Sequence, residues 1–234
     1  MSLSKEFQNY ATKHLNMNSS NLEHFLNKNI SKKHQLSLGI TPTVIEERRL
    51  NISQMDVFSR LMMDRIIFLG VGIDDYVSNV IQAQLLFLES VDARRDVTIF
   101  INCPGGSVTA GLGIYDTMNY IQPDVATICT GIAASFGAVI LTSGQKGKRS
   151  CLPHSRIMIH QPSGGARGQL SDMEITYNLF KELQKDIYTI LSKTTGKTME
   201  QITKDSDRDN WMRAMEAKEY GLIDEILNRG GNQI

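Results

Sequence analysis

The chain of 234 residues has little cysteine and no excess of charge of either sign. Its three cysteines, Cys103, Cys129 and Cys151, are scattered without metal-binding or redox spacing. An odd number of cysteines without a pairing pattern is typical of a reducing compartment, so we expect a cytoplasmic location. The 25 basic and 25 acidic residues balance each other, which argues against a nucleic-acid-binding surface.

The sequence also lacks a recognisable signal peptide, because residues 1–38 contain no apolar core segment. Residues 125–145 carry no charge and could cross a bilayer by length alone. Threonine, serine and glycine interrupt this stretch, which favours a soluble strand, turn and helix over a membrane span. We therefore expect neither nucleic acid nor membrane among the partners.

A serine among small residues is the most informative feature that is present. Residues 125–130 are apolar and β-branched, which predicts a buried strand, and residues 138–141 continue as an apolar helix. Ser135 lies in the tight turn between them, near a helix N-terminus whose free N–H groups favour negative charge. An acyl-transfer oxyanion needs such a place, but a close-packed turn that contains serine by chance explains the segment equally well.

A histidine at the end of another apolar strand favours catalysis. Residues 156–160 end in His160, directly before Gln161 and Pro162, whereas the other histidines lie in polar segments. A nucleophilic serine needs a base to take its proton, and histidine titrates in the right range. Alone, His160 is more simply explained as a core or edge residue; together with Ser135 it is a candidate general base.

Three aspartates are candidates for the acid that orients the imidazole. Asp205, Asp207 and Asp209 occupy alternate positions before an apolar pair, Trp211 and Met212. A solvated acidic loop explains at least two of them, and the pattern alone does not choose among the three. Because Asp209 is nearest to the apolar pair, we expect it to be partly buried and held still.

A glycine turn offers candidate backbone donors. Residues 97–103 predict a buried strand, followed by Pro104, Gly105 and Gly106 and then by a helix over residues 107–120. The bare N–H groups of the two glycines could form half of an oxyanion hole, or serve only the bend of the chain. Without the serine and the histidine, the bend is the better explanation.

Together these motifs resemble one family, the proteolytic subunit of the Clp protease. The matching segments are Gly131-Ile-Ala-Ala-Ser135-Phe-Gly137, Met158-Ile-His160-Gln-Pro162, Asn102-Cys-Pro-Gly-Gly106, Ile114-Tyr-Asp-Thr-Met118, Lys146-Gly-Lys-Arg149, Asp207-Arg-Asp209 and Glu216-Ala-Lys-Glu-Tyr-Gly-Leu-Ile-Asp224. The likeness runs in the same order from about Val44 to Leu227.

The resemblance implies a serine endopeptidase barrel of two stacked heptameric rings that cleaves unfolded polypeptides. An AAA+ ATPase unfoldase of the ClpX or ClpA/ClpC kind would feed it, and neither a metal nor a cofactor is implied. By motif, Ser135 is the nucleophile, His160 the general base and Asp209 the orienting acid. The backbone N–H groups of Gly106 and Phe136 would bind the oxyanion.

Two positions depart from the family pattern. Cys103 stands where most relatives have a serine, so a thiol lies beside the presumed oxyanion loop. Phe136 follows the catalytic serine, where methionine is frequent. Only the backbone N–H of Phe136 is needed, so we expect catalysis to survive and the ring to reshape the substrate pocket.

The expected fold is α/β, a crotonase-like spiral of strand–helix units with a mainly parallel sheet and a protruding handle helix. Residues 1–43 are a polar, mildly basic tail, and residues 44–234 are the peptidase domain. We expect the tail to be a propeptide cut near Leu38, or a disordered extension. The predicted strands cover residues 65–69, 97–103, 125–130 and 156–160, and the predicted helices residues 75–91, 107–120 and 134–143.

The handle helix is predicted over residues 171–193, beginning with a capping box of Ser171 and Glu174. Its apolar stripe comprises Met173, Tyr177, Phe180, Leu183, Ile187 and Leu191. Such a stripe either packs on the body or needs a partner surface. In the family that this chain resembles, the corresponding helix interlocks the rings, and Arg208 would help to join them.

Two other functions stay open on sequence alone. A crotonase-like acyl-CoA enzyme would share the spiral body and a backbone oxyanion hole, but it would lack an organised Ser–His–Asp set. A catalytically silent ring subunit of a mixed barrel is the non-enzymatic alternative, and the intact triad residues weigh against it. The glycine-rich segment 164–168 lacks the lysine of a P-loop, so we do not expect a nucleotide site there.

Overall fold

The computed structural model describes residues 43–48 and 51–228, so the predicted tail and its cleavage site lie outside the described residues except for Thr43. The chain divides into two units near Val57. In the first unit, strands β1 (Thr43–Arg48) and β2 (Asn51–Asp56) form an antiparallel pair. None of the helices in the described part of the chain is long and apolar enough to cross a membrane.

The second unit alternates strands and helices, as the sequence predicts. The elements are α1 (Val57–Met63), β3 (Ile66–Leu69), α2 (Asp75–Val91), β4 (Val97–Cys103), α3 (Val108–Tyr120), β5 (Val125–Ala134), α4 (Phe136–Thr142), β6 (Arg149–Cys151), β7 (Arg156–Ile159), α5 (Leu170–Thr195), α6 (Met199–Asp205), β8 (Asn210–Arg213), α7 (Ala214–Tyr220) and β9 (Glu225–Ile226).

The strands of this unit that the structure describes form a seven-stranded, mainly parallel sheet, which confirms the predicted fold class. Five strands follow the order β3-β4-β5-β6-β9. The other two branch from the centre: β7 pairs parallel with β5, and β8 pairs antiparallel with β7. The branch brings the carboxyl ends of β5 and β7 together, where parallel α/β folds place their sites.

Strand β5 is longer than predicted: it continues beyond residue 130 through Gly131 as far as Ala134. Its first half pairs with β6 and its second half with β7. At the junction the Asn102 side chain accepts a hydrogen bond from the Ile132 N–H at 3.1 Å. A Cβ at Gly131 would lie 2.6 Å from the same amide oxygen, so a larger residue there would displace the Asn102 side chain from this hydrogen bond.

The core lies between the sheet and the helices that cover it. Every residue of α4 is buried, and so are the inward-facing residues of β4, which alternate with partly exposed ones. The largest fully buried side chains are Ile67, Leu69, Leu85, Ile99, Ile101, Ile114, Ile140, Leu141, Ile157, Ile159, Leu191 and Ile202. Burial of such side chains supplies most of the stabilising free energy.

Helix α5 differs from its prediction at the start. It begins at Leu170 after Gln169, whose side chain makes no capping hydrogen bond, so the capping box predicted at Ser171 is wrong. Ser171 already lies inside the first turn, where its hydroxyl is no longer in the capping position. At the other end the helix stops at Gly196, which has the left-handed conformation common after helices.

The apolar side chains of α5 fall into two groups. The C-terminal half is buried against the body through Ile187, Tyr188, Ile190 and Leu191. The N-terminal half exposes Leu170, Met173, Ile175, Tyr177 and Leu179. The predicted stripe therefore packs on the body at one end only and leaves an apolar surface at the other.

A buried ion pair joins the ends of two helices to the edge of the sheet. Arg149 donates to both carboxylate oxygens of Asp224, at 2.9 and 2.6 Å, and to the carbonyls of Thr142 and Thr194 at 3.2 and 3.0 Å. These carbonyls belong to the C-terminal ends of α4 and α5, where a cation is favoured. Burial raises the pKa of Asp224, but hydrogen bonds from Arg149 and from the Gly147 N–H outweigh it and lower the pKa below 3.8.

Candidate active site

Ser135 occupies the turn between β5 and α4 with an unusual backbone conformation. Its φ is 54° and its ψ is −127°; Arg65 is the other non-glycine residue of the described part with a positive φ. Such strained backbone concentrates at functional sites and costs on the order of 1–3 kcal/mol. The Ser135 N–H donates to the Met158 carbonyl at 2.9 Å, which ties the turn to β7.

The pairing of β5 with β7 brings the histidine to the serine. Ala134 lies beside Met158 in the parallel register, so the residues that follow each strand emerge at the same edge of the sheet. Ser135 Oγ and His160 Nε2 are 2.8 Å apart. This is the distance of a hydrogen bond between a nucleophile and its base.

The pairing of β7 with β8 brings the aspartate to the histidine. Ile159 lies opposite Asn210, so His160, just after β7, faces Asp209, just before β8. His160 Nδ1 and Asp209 Oδ1 are 2.9 Å apart. A carboxylate only accepts hydrogen bonds, so the Nδ1–H donates and Nε2 is left to accept the serine proton.

The expectation that Asp209 is partly buried is wrong. Its side chain is 62% exposed, and the neighbouring Trp211 is 49% exposed. Strand register, not apolar cover, places Asp209 beside the imidazole. The other two candidates do not contact His160: Asp205 hydrogen-bonds with Gln201 and Tyr220, and Asp207 is an exposed residue near Arg208.

The two segments that carry the predicted oxyanion donors lie next to Ser135. Gly105 and Gly106 have φ values of +99° and +150°, which favour glycine. A Cβ at Gly105 would lie 2.5 Å from Ser135 Cβ and 3.1 Å from the Phe136 nitrogen. Phe136 opens α4, so its N–H has no acceptor within the helix. The arrangement brings a glycine turn and a helix N-terminus close to Ser135.

The two departures from the family pattern are both accommodated inside the protein. The Cys103 sulfur accepts the Gly105 N–H at 3.3 Å, which gives the glycine turn an acceptor in place of a hydroxyl. Burial raises the pKa of the Cys103 thiol, although the hydrogen bond from Gly105 lowers it in part, so the thiol stays protonated at neutral pH. Phe136 is 2% exposed, and its ring fills the space beside Gly111 of α3.

A small apolar pocket adjoins the serine and the histidine. It is lined by Val108, Ser135, Phe136, Val139, Ile159, His160, Pro162, Ile187 and Leu191. The buried half of α5 forms one wall of this pocket. Elsewhere in the described residues, no group of three His, Cys, Asp or Glu side chains is arranged to hold a metal ion.

The sequence analysis missed β8, although this strand positions Asp209. Its four residues alternate in burial: Met212 is buried while Trp211 and Arg213 are exposed. Alternation over so few residues is a weak signal for a strand. The pairing with β7 joins segments that are far apart in the sequence, and no local pattern reports it.

Comparisons with known proteins point to a single family. Residues 49–230 match the sequence model of the Clp protease family. The chain is 59% identical over 222 residues to the ATP-dependent Clp protease proteolytic subunit of Bacteroides fragilis strain YCH46, which covers 95% of this chain and 98% of that protein. The protein of the same description from Porphyromonas gingivalis is 58% identical over 224 residues, covering 96% and 98%. One from Bacteroides fragilis strain ATCC 25285 is 63% identical over 188 residues, covering 80% and 91%.

Proposed function

The chain belongs to the Clp protease family and is a serine-type endopeptidase, and we propose that Ser135, His160 and Asp209 form its catalytic triad. One observation carries this assignment. A continuous chain of hydrogen bonds runs from Ser135 Oγ through both nitrogens of His160 to the Asp209 carboxylate, over 2.8 and 2.9 Å. These are the contacts that a serine nucleophile, a general base and an orienting acid require.

In the proposed mechanism Ser135 Oγ attacks the carbonyl carbon of the scissile peptide bond while His160 Nε2 takes the hydroxyl proton. Asp209 accepts the Nδ1–H throughout, which keeps the imidazole in the right tautomer and stabilises the imidazolium. The imidazolium then returns its proton to the leaving amine as the C–N bond breaks. Water, activated by the same nitrogen, hydrolyses the acyl-enzyme and restores the serine.

The tetrahedral intermediates carry a negative charge on the former carbonyl oxygen. We assign the backbone N–H groups of Gly106 and Phe136 as its donors, because the glycine turn and the first residue of α4 both lie close to Ser135. Removing a single donor of this kind costs about 10²–10³ in rate. Backbone donors do not depend on the side chain, so the phenylalanine after Ser135 is compatible with catalysis.

The relatives' description as ATP-dependent implies an ATPase partner and protein substrates. We propose that the chain assembles into two stacked heptameric rings and receives unfolded polypeptides from an AAA+ unfoldase. The exposed apolar half of α5 supports an assembly, because a surface of this kind is unfavourable in water. We also propose a cytoplasmic location, with residues 1–43 as a separate tail and residues 44–234 as the peptidase domain.

A fluorophosphonate probe tests the catalytic assignment on the full chain. We expect the probe to label Ser135, and Ser135→Ala to lose labelling and about 10⁴-fold or more of peptide cleavage. Asp209→Asn should lose far more activity than Asp205→Asn or Asp207→Asn. Undiminished cleavage by the purified alanine variant would rule out the serine mechanism, and equal effects at the three aspartates would rule out the assigned acid.

A further inference from the structure

Asp209 is the one member of the proposed triad that burial does not hold in place. Its side chain is 62% exposed, whereas that of His160 is 24% exposed. The hydrogen bond that the described residues give this carboxylate goes to His160. An exposed side chain on a loop samples many positions, and a displacement of about 1 Å in a catalytic group can cost about 10²-fold in rate. Something other than packing must therefore keep the loop of Asp209 near the histidine.

Gln161, which immediately follows His160, makes two contacts with this loop. Its backbone N–H donates to the Ser206 carbonyl at 2.5 Å, and its side-chain Nε2 donates to the Asp207 carbonyl at 2.7 Å. These bonds lie just beyond the point where Ile159 pairs with Asn210. They therefore continue the link between the end of β7 and the chain that leads into β8.

We propose that Gln161 is a positioning residue, whose side-chain amide holds the Asp207 carbonyl and thereby keeps Asp209 against His160. The inference rests on the proposed triad. Ser206 is fully buried and fixed by packing, and Asn210 is fixed in β8. Between Ser206 and Asn210, the side-chain amide of Gln161, which follows β7, holds the loop through its hydrogen bond to the Asp207 carbonyl.

The side-chain bond has a specific chemical requirement, since the Asp207 carbonyl needs a donor. Gln161→Met keeps the length of the side chain and removes the donor. Gln161→Glu keeps the shape, but its carboxylate accepts hydrogen bonds and does not donate them at neutral pH. The backbone bond to Ser206 stays in both variants, so Gln161→Met loses one hydrogen bond, and Gln161→Glu loses the same bond and adds a negative charge.

The matched control is Gln201→Met. The Gln201 amide also donates to the neighbourhood of the loop, to both carboxylate oxygens of Asp205 at 2.8 and 2.7 Å. It does not touch the residues between Ser206 and Asn210. A general loosening of α6 would therefore show in the control, whereas loss of the support of Asp209 would not.

The test is a double-mutant cycle on the assembled full chain, with wild type, Gln161→Met, Asp209→Asn and the double variant. We expect Gln161→Met to lower kcat for a fluorogenic peptide about tenfold, as for one lost hydrogen bond to a well-placed group, with KM changed less than about twofold. In the Asp209→Asn background the same change should lower kcat less than about twofold, because the group it positions no longer acts. Gln161→Glu should behave like Gln161→Met, and Gln201→Met like wild type.

The outcomes separate this inference from the proposed triad. An unchanged kcat in Gln161→Met, or the same loss in both backgrounds, would overturn the positioning role while Asp209→Asn remained impaired. An unimpaired Asp209→Asn would instead overturn the triad. If sedimentation velocity shows that Gln161→Met does not assemble, Gln161→Glu replaces it in the double-mutant cycle.

Discussion

At the scale of single residues, Ser135 combines the reactive hydroxyl with a backbone that a side chain disfavours. With φ at 54° and ψ at −127°, its conformation is one that glycine adopts far more readily. Neighbouring contacts enforce it, including the hydrogen bond from Ser135 N–H to Met158 and the close approach of Gly105. The turn therefore stores free energy in order to present the hydroxyl to His160.

Replacement of Ser135 by glycine and by alanine measures this strain. Both variants lose the nucleophile, but Ser135→Gly relieves the strain while Ser135→Ala retains it. We expect the glycine variant to be more stable than the alanine variant by about 1 kcal/mol, because relief of strain exceeds the added entropy of the unfolded chain. Chemical denaturation of the two proteins compares them directly, and equal stabilities would mean that the turn is unstrained.

At the scale of helices and strands, the local sequence predicted correctly those elements whose apolar residues recur with a strong period. Strand β4 and helix α2 have the bounds expected from the sequence, and Ser107 caps α3 by accepting the Ala110 N–H. The start of α5 was predicted wrongly, because Ser171, which would suit a cap together with Glu174, is already the second residue of the helix.

The short strands could not be predicted, since their existence depends on distant partners. Strand β6 has three residues and β9 has two, and each is defined by pairing with chain far away in the sequence. For the same reason, residue pattern identified Ser135 and His160 but left the acid undecided. The position of Asp209 beside His160 depends on the register between β7 and β8, which the local sequence does not reveal. The family resemblance pointed to Asp209 by motif alone.

The ion pair of Arg149 and Asp224 makes a prediction at this scale. The pKa of Asp224 is lower in the folded protein than its ordinary value of 3.8. The ionised carboxylate therefore stabilises the fold above about pH 4, and this contribution is lost as the pH falls through the lower folded pKa. We expect Asp224→Asn to cost about 3 kcal/mol at neutral pH, because it leaves Arg149 buried without its counterion.

The measurement is the free energy of unfolding from pH 7 to pH 3 for both proteins. The wild type should lose its advantage as the pH falls below about 4, so that the two curves converge. Parallel curves over this range would show that Asp224 does not titrate with folding. Glu182→Gln, at an exposed position in the middle of α5, is the matched control and should leave the curve unchanged.

At the scale of the whole molecule, α5 has an apolar N-terminal half that is exposed in the part of the chain that the structure describes. Ile175 is 69% exposed and Tyr177 is 55% exposed, whereas Ile187 and Leu191 at the other end are buried. One helix thus connects the wall of the pocket beside Ser135 to a surface suited to another subunit. A contact made at the exposed half would act on the same rigid element that lines the catalytic cleft.

We expect Ile175→Lys to reduce the size of the assembly while the subunit stays folded, because a charge replaces apolar surface that would be buried between subunits. Sedimentation velocity should show smaller particles, and circular dichroism an unchanged helix content. Thr189→Lys, at an exposed position of the packed half of α5, is the control and should leave the assembly intact. An assembly of unchanged size in Ile175→Lys would exclude this face from the contacts between subunits.

The order of the proposed triad residues along the chain has a consequence for the newly made protein. Ser135 and His160 leave the ribosome before Asp209, and the three groups meet only when β8 (Asn210–Arg213) has paired with β7. A nascent or half-folded subunit therefore carries the nucleophile without its complete partners. If the proposed triad is right, we expect the subunit to have no peptidase activity during its own synthesis, until β8 has paired with β7.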